Sequence, residues 1–262
     1  MGAIDCGSHC DHRRRPGSLR RVALDWLAAK VVDTRVETHR VKSIVFERPM
    51  WEGHIPGQHV DIRLTAEDGY QAQRSYSIAS APEDDHLVLT VERLQEGEVS
   101  PYLFDVIEPG EELEMRGPIG LYFVWEAVMS EPLLMIAGGS GVVPFRAMLR
   151  HRRAVGADVP ARLLYSARTI ADVIYRDELE VHDGSDETEV VLTLTREQPD
   201  GWGGYDRRVD RTILEEVAWD PDRRPRIYVC GPTTFVELVA GTLVDLGHHP
   251  TAIRTERFGP TG

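Results

Sequence analysis

The stretch Leu133-Leu134-Met135-Ile136-Ala137-Gly138-Gly139-Ser140-Gly141-Val142-Val143-Pro144 sets the reading of the whole chain. An apolar run stops at three glycines within four positions, and Pro144 then opens an amphipathic segment over 145–153. This is the pattern of a buried strand, a glycine-rich turn and a helix that starts at a proline. Glycines at 138, 139 and 141 permit positive φ and let a ligand approach the bare main chain. Unpaired N–H groups of the turn and helix start would face a phosphate or diphosphate. The spacing Gly-Gly-x-Gly-x-x-Pro differs from the Gly-x-Gly-x-x-Gly dinucleotide fingerprint. A strand–turn–helix corner without a ligand is the alternative reading of this motif alone.

Downstream of Glu131-Pro132, apolar runs at 133–137, 161–165, 190–194 and 227–229 alternate with helical patterns near 144–153, 172–182, 209–218 and 234–246. Strands apolar throughout and joined by helices indicate a parallel sheet covered on both faces. Ligands of such sheets bind beyond the carboxyl ends of the strands. The glycine turn, Ser166-Ala167-Arg168, Thr195-Arg196 and Cys230-Gly231-Pro232 all fall at those ends.

Upstream, runs at 41–47, 59–64, 73–78, 87–93 and 112–116 alternate apolar and polar residues between turn signals at Pro56-Gly57, Asp68-Gly69, Pro82 and Pro109-Gly110. That spacing indicates an antiparallel barrel, interrupted by one short helix near 101–106. The expected organisation is an Arg-rich tail over 1–25, an antiparallel barrel over 26–128 and a parallel α/β domain over 129–262.

The chain has 262 residues, 42% hydrophobic and 28% charged, as soluble globular proteins do. A net charge of −13 argues against nucleic acid as partner. No apolar stretch approaches the roughly 20 residues of a membrane helix, and the polar start lacks a signal-peptide core. The cytoplasm is therefore the expected location. Cys6, Cys10 and Cys230 make no disulfide framework. Cys6, His9, Cys10 and His12 are metal-ligand types without a second pair, so no metal is expected. Arg13, Arg14, Arg15, Arg20 and Arg21 form a basic arm that is either solvated or docks an acidic protein.

Two barrel segments carry chemistry. Arg74-Ser75-Tyr76-Ser77 offers a guanidinium, an aromatic ring and hydroxyls at a strand end. Gly97-Glu98-Val99-Ser100-Pro101 reads as a turn with Ser100 as N-cap and Pro101 at the first helical position. Ordinary strand surface and a capped surface helix are the plainer alternatives.

In order, these segments, with Gly117-Pro118-Ile119-Gly120, Cys230-Gly231-Pro232 and Glu256-Arg257-Phe258-Gly259, resemble the ferredoxin–NAD(P)+ reductase superfamily. The resemblance implies a flavin-binding antiparallel barrel followed by a nicotinamide-nucleotide-binding α/β domain. It assigns Arg74 to flavin phosphate, Tyr76 to packing on the isoalloxazine, and Ser77, beside Ser75, to the neighbourhood of its reactive nitrogen. Gly97, Val99 and Ser100 would cradle the diphosphate, with Val91 and Arg93 along the ribityl path, which favours FAD over FMN. Gly138, Gly139, Gly141, Val142 and Pro144 would take the nucleotide, together with Ser166, Thr195, Gly231 and Pro232. Cys230 would lie near the nicotinamide, Phe258 over the flavin face and Glu256 near the reactive nitrogen as a proton or charge contributor. A small buried thiol and an ordinary strand carboxylate are the plainer readings of Cys230 and Glu256.

Arginine suits a 2′-phosphate, and Arg168, Arg196 and Arg208 stand at or beyond these strand ends. Thr195-Arg196-Glu197-Gln198 also looks like the family's 2′-phosphate segment, so NADPH is preferred over NADH. Ion pairs of Arg168 with Asp172 and of Arg196 with Glu197 are the alternative. The chain lacks a Cys-x4-Cys-x2-Cys run, so the expected electron acceptor is a separate ferredoxin or other iron–sulfur protein. An NADH-dependent oxygenase reductase, an electron-transfer subunit of a larger complex and a catalytically silent flavin sensor are the other classes weighed.

Overall fold

The computed structural model describes residues 25–49, 53–184 and 187–259. The Cys/His cluster, the five arginines of the arm and residues 260–262 lie outside the described residues.

Strands β1 (Leu27–Thr38), β2 (Val41–Phe46), β3 (His59–Thr65), β4 (Gln71–Ser77), β5 (Leu87–Glu92) and β6 (Glu112–Ile119) form one antiparallel sheet in the order β4-β3-β6-β1-β2-β5. Its two edges meet where Ile78 bridges Leu89 and the Ala79 N–H donates to the Val88 carbonyl at 2.8 Å, closing a barrel. Alternation supplies the interior: Leu87, Leu89 and Val91 point inward from β5, beside Ile44, Ile62 and Met115.

The second sheet is parallel. Strands β7 (Leu133–Gly138), β8 (Ala161–Ala167), β9 (Thr188–Leu194), β10 (Arg226–Pro232) and β11 (Ile253–Phe258) lie in the order β11-β10-β7-β8-β9. The unbroken apolar run of β7 follows from burial on both faces. Leu133, Met135 and Ala137 share one core with Phe145, Met148 and Leu149 of α2 (Val143–Ala154). Leu134 and Ile136 face the opposite core, with Ile213 and Leu214 of α4 (Arg211–Val217) and Val236 and Val239 of α5 (Thr233–Asp245). Each such side chain contributes about 1.5–3 kcal/mol, so this sandwich fixes the end of β7 from which the glycine turn leaves.

The first core also takes in Val41, Ala79, Phe123 and Trp125 of the N-terminal half, so the barrel seats directly on α2. An ion network reinforces the contact. Arg150 donates to both oxygens of Asp84 at 2.9 and 2.6 Å and to Glu178 at 3.1 Å, while Arg146 binds Glu178 at 2.8 Å and the Ala79 carbonyl at 3.2 Å.

The structure corrects several local expectations. Ser100 is not an N-cap: it lies within α1 (Val99–Pro101), and its Oγ accepts the Leu94 N–H at 3.1 Å. The short helix continues as a π-turn over Tyr102–Val106. Pro144 is the second residue of α2, not the first. The helix expected from 172 is α3 (Arg176–His182), preceded by a 3-10 turn over Ile170–Asp172 and by Tyr175 at φ +59°. Among the described residues, no helix is long and apolar enough to cross a membrane, and no group of three or more His, Cys, Asp or Glu is placed to hold a metal.

Candidate active site

A cleft of about 650 Å³ opens beyond the carboxyl ends of β7, β8, β9 and β10, against the β1–β2 turn and the end of β5. Its floor is the glycine turn, a 3-10 turn over Gly139–Val142. Only Gly139 uses positive φ, at +56°, whereas Gly138 is extended at φ −117°. Gly141 is needed for space: a Cβ there would overlap the Cys230 carbonyl oxygen and stand 2.9 Å from the Gly231 N. Gly138 and Gly231 lie under the Phe235 ring, which would be 3.0 and 2.8 Å from their Cβ atoms. The expectation of positive φ at all three glycines therefore holds for one, and close packing accounts for the others.

Ser166, Arg168, Thr195, Arg208 and Pro232 line the cleft, and Val142 and Pro144 are buried beneath the turn. Arg168 and Arg208 are exposed at its rim; Arg196 is exposed beside them, its N–H donating to the Arg168 carbonyl at 2.9 Å. Asp172 is committed elsewhere. It accepts from the Thr169 N–H and hydroxyl at 3.2 and 2.8 Å and stands 3.8 Å from Arg40.

In the barrel, Arg74 is half exposed, its guanidinium 3.5 Å from Glu98 and 2.7 Å from the Gln73 carbonyl. Ser75 donates to Asp61 at 2.6 Å, and Arg116 binds the same carboxylate at 2.6 Å. Tyr76 is half-buried, and burial pushes its hydroxyl pKa up. Val91 and Val99 are sealed in the barrel core, and Arg93 pairs with Asp105 at 2.7 Å. Gly97 closes the turn before α1, where a Cβ would come 2.8 Å from Ser100 Oγ.

The two sheets meet at β11. Parallel pairing sets Glu256 beside Cys230 and Phe258 beside Pro232. Antiparallel pairing in the barrel sets Ser77 beside His59, and the His59 Nδ1 lies 4.0 Å from Glu256 Oε1. Glu256 Oε2 is buried with no hydrogen-bond partner. Burial raises the Glu256 carboxyl to about 7, a rise that the Ser77 hydroxyl opposes. Burial also pushes the Cys230 thiol well up, helped by the Glu256 charge, and pushes His59 down. The junction thus holds a carboxyl that exchanges a proton near neutrality, a thiol kept protonated and an imidazole kept neutral. Phe258, two residues beyond Glu256, lines the cleft with Gly259.

Sequence reading missed His59, Arg40 and Glu92, and named Asp172 only as an ion-pair partner of Arg168, whereas it stands beside Arg40. His59 follows a turn signal at Pro56-Gly57, the one local hint available; Arg40, Glu92 and Asp172 come from three separate segments that only the fold brings to the cleft.

Comparison with known proteins agrees with this architecture. Residues 28–124 match the family described as oxidoreductase FAD-binding domain, and residues 135–241 match the oxidoreductase NAD-binding domain. The chain is 36% identical over 219 residues to ferredoxin–NADP reductase B of Sorangium cellulosum, covering 80% of this chain and 88% of that one. It is 33% identical over 232 residues to the glycine betaine monooxygenase reductase subunit of Pseudomonas aeruginosa, covering 86% of this chain but 62% of the relative, and so spans about three fifths of that protein's length. Among solved structures, the FAD/NAD-binding domain of nitric oxide dioxygenase from Vibrio cholerae superposes with a TM-score of 0.78 at 25% identity, over 89% of this chain and 98% of that one. The ferredoxin reductase of carbazole 1,9a-dioxygenase gives 0.77 at 25% identity, over 91% and 70%.

Proposed function

The chain belongs to the oxidoreductases that join an FAD-binding to an NAD-binding domain, and on that premise we propose that it takes hydride from NADPH and passes electrons through FAD to a separate ferredoxin or other small iron–sulfur protein. One observation carries the reading: the glycine-floored cleft rimmed by arginines is also lined by Phe258 of β11, the strand on which Glu256, with an unpartnered carboxyl oxygen, stands beside Ser77 at the end of β4. The residues fit the two groups. Arg74 presents a half-exposed guanidinium for phosphate, Tyr76 a ring for stacking, and Glu256 Oε2 a buried acceptor that lacks a donor. When bound, the cofactors supply the hydride and electron chemistry themselves.

The protein's part is binding, alignment and charge. The turn at Gly139–Val142 holds diphosphate on bare N–H groups, while Arg168, Arg196 and Arg208 meet the 2′-phosphate. Cys230, buried and uncharged beneath the turn, would provide the apolar support beside the nicotinamide. Ser77 and Glu256 hold a proton at the junction, the carboxyl being poised near neutrality by its burial. Phe258, lining the cleft with Gly259, would cover the flavin face and exclude water from it. The cytoplasm is the compartment this reading assigns.

A second reading, an NADH-dependent reductase component of an oxygenase, is supported by the similarity to the glycine betaine monooxygenase reductase subunit. A test separates the two. With a ferredoxin as acceptor, the double substitution Arg168→Gln/Arg208→Gln raises KM for NADPH about tenfold or more and leaves NADH turnover unchanged. Equal effects on both nucleotides, or turnover with NADH alone in the parent protein, would reject the NADPH assignment.

A further inference from the structure

Three side chains tie the glycine turn to the barrel across the cleft. Ser140, the residue between Gly139 and Gly141, donates its hydroxyl to Glu92 Oε2 at 2.7 Å. Glu92 is the last residue of β5, so this contact spans the two sheets. Its other oxygen, Oε1, lies 3.5 Å from the Arg40 guanidinium, which reaches in from the β1–β2 turn. Arg40 also stands 3.8 Å from Asp172, whose second neighbour is His39 at 3.8 Å. All of these charges are partly shielded: the side chains of Glu92, Arg40 and Asp172 are 19%, 26% and 10% exposed.

The arrangement has a conflict built into it. A turn whose bare N–H groups attract an anion carries a carboxylate already fastened to its central hydroxyl. Among Arg40, Glu92 and Asp172 the formal charge is negative, so a diphosphate arriving at the turn meets a like charge held in place by Ser140. Arg40 is the cation able to absorb that charge, because it already touches both carboxylates.

We propose that Glu92, Ser140 and Arg40 form a charge latch across the cleft, which closes the glycine turn onto the barrel and yields to the diphosphate of a nicotinamide dinucleotide. On binding, the Ser140 hydroxyl turns from Glu92 to the ligand, and Glu92 falls back on Arg40. Glu92 thereby sets nucleotide affinity, and through it product release, without touching the reacting atoms. The inference rests on the reading of this cleft as the nucleotide site.

The test is calorimetric binding of NADP+ and NAD+ to the FAD-loaded full chain, with no turnover involved. Glu92→Gln keeps an acceptor for Ser140, so the interface stays packed while the charge is removed. It tightens both dinucleotides by about tenfold, the size of one unit-charge repulsion in a partly solvated cleft. Arg40→Gln, which leaves both carboxylates uncompensated, weakens both, and added salt recovers part of that loss by screening the repulsion. Glu215→Gln, a charge removal at the exposed Arg211–Glu215 pair of α4, leaves affinity unchanged. Parent-like affinity in the Glu92 variant, or equal tightening in the Glu215 variant, would overturn the latch while leaving the cleft assignment standing. Failure of every form to bind either dinucleotide would instead sink the cleft assignment, and the latch with it.

Discussion

Gly139 and Gly141 sit two residues apart in one turn, yet their replacement by alanine fails for different reasons. At Gly141 the backbone conformation is ordinary, but the new Cβ would overlap the Cys230 carbonyl oxygen and lie 2.5 Å from the carbonyl carbon. Both atoms are main chain of β10, the strand second from the sheet edge, and cannot rotate away. The turn must lift off the strand, an overpacking cost of about 2 kcal/mol. At about 2–4 °C per kcal/mol for a protein of this size, thermal unfolding moves down by about 5 °C. At Gly139 a Cβ meets nothing within 4 Å, and the cost is only that of holding alanine at φ +56°. That is about 1 kcal/mol, or about 2–3 °C. The open space around the Gly139 Cβ is the cleft itself, so Gly139→Ala takes room from a ligand and weakens dinucleotide binding out of proportion to its stability loss. The assay pairs melting of the FAD-loaded variants with calorimetric titration of NADP+. A Gly141→Ala protein that melts with the parent, or a Gly139→Ala protein that melts below the Gly141→Ala protein, would refute the reasoning.

Two carboxylates predict opposite pH dependences. Glu256 titrates near 7 in the fold against 4.5 when free, so the folded state holds an extra proton between those values, and stability falls as pH rises from about 4.5 through 7. The loss reaches about 3 kcal/mol at high pH, and Glu256→Gln should abolish this slope in urea unfolding between pH 5 and pH 8; an unchanged slope would remove the buried carboxyl from the account. Glu178 is the reverse case. Burial pushes its carboxyl up, but His182 and the Arg146 and Arg150 guanidiniums outweigh that and carry it down to about 2. Its contribution is present above about 4.5 and disappears as pH falls toward 2, and Glu178→Gln should cost about 3 kcal/mol at pH 7 by leaving Arg146 without a carboxylate and Arg150 with Asp84 alone. Parent-like urea midpoints at pH 7 would contradict this.

The sequence made the centre of the molecule legible and its margins less so. The β7–turn–α2 unit was readable because β7 is buried on both faces, which forces an unbroken apolar run, and because three glycines in four positions mark a turn; the reason for Gly141, the Cys230 carbonyl, is a tertiary contact the sequence does not carry. Strand β11 was not delimited because it lies at the sheet edge: of Ile253, Arg254, Thr255, Glu256, Arg257 and Phe258 only Ile253 is buried, so no periodic signal survives. In β1 the alternation is broken by irregular pairing between Val31 and Asp33 and again between Val36 and Thr38. Of the residues named at strand ends, Gly138, Gly139, Ser166, Arg168, Thr195 and Pro232 line one cleft, whereas Arg74 and Ser75 pair with Glu98 and Asp61 on the barrel. What the sequence could not show is the charge arrangement across the cleft. Arg40, Glu92 and Asp172 have no common motif, and only the closure of the barrel against the parallel sheet brings them within reach of the glycine turn.

The central claim is that the cleft and the Arg74–Ser77 strand end are two halves of one hydride path. Anaerobic mixing of the purified FAD-loaded protein with NADPH and, separately, with NADH tests it most directly, by following flavin absorbance. Rapid bleaching with NADPH and slower bleaching with NADH are expected. A flavin inert to both would contradict the path itself, and rapid bleaching with NADH alone would contradict the role given to Arg168, Arg196 and Arg208.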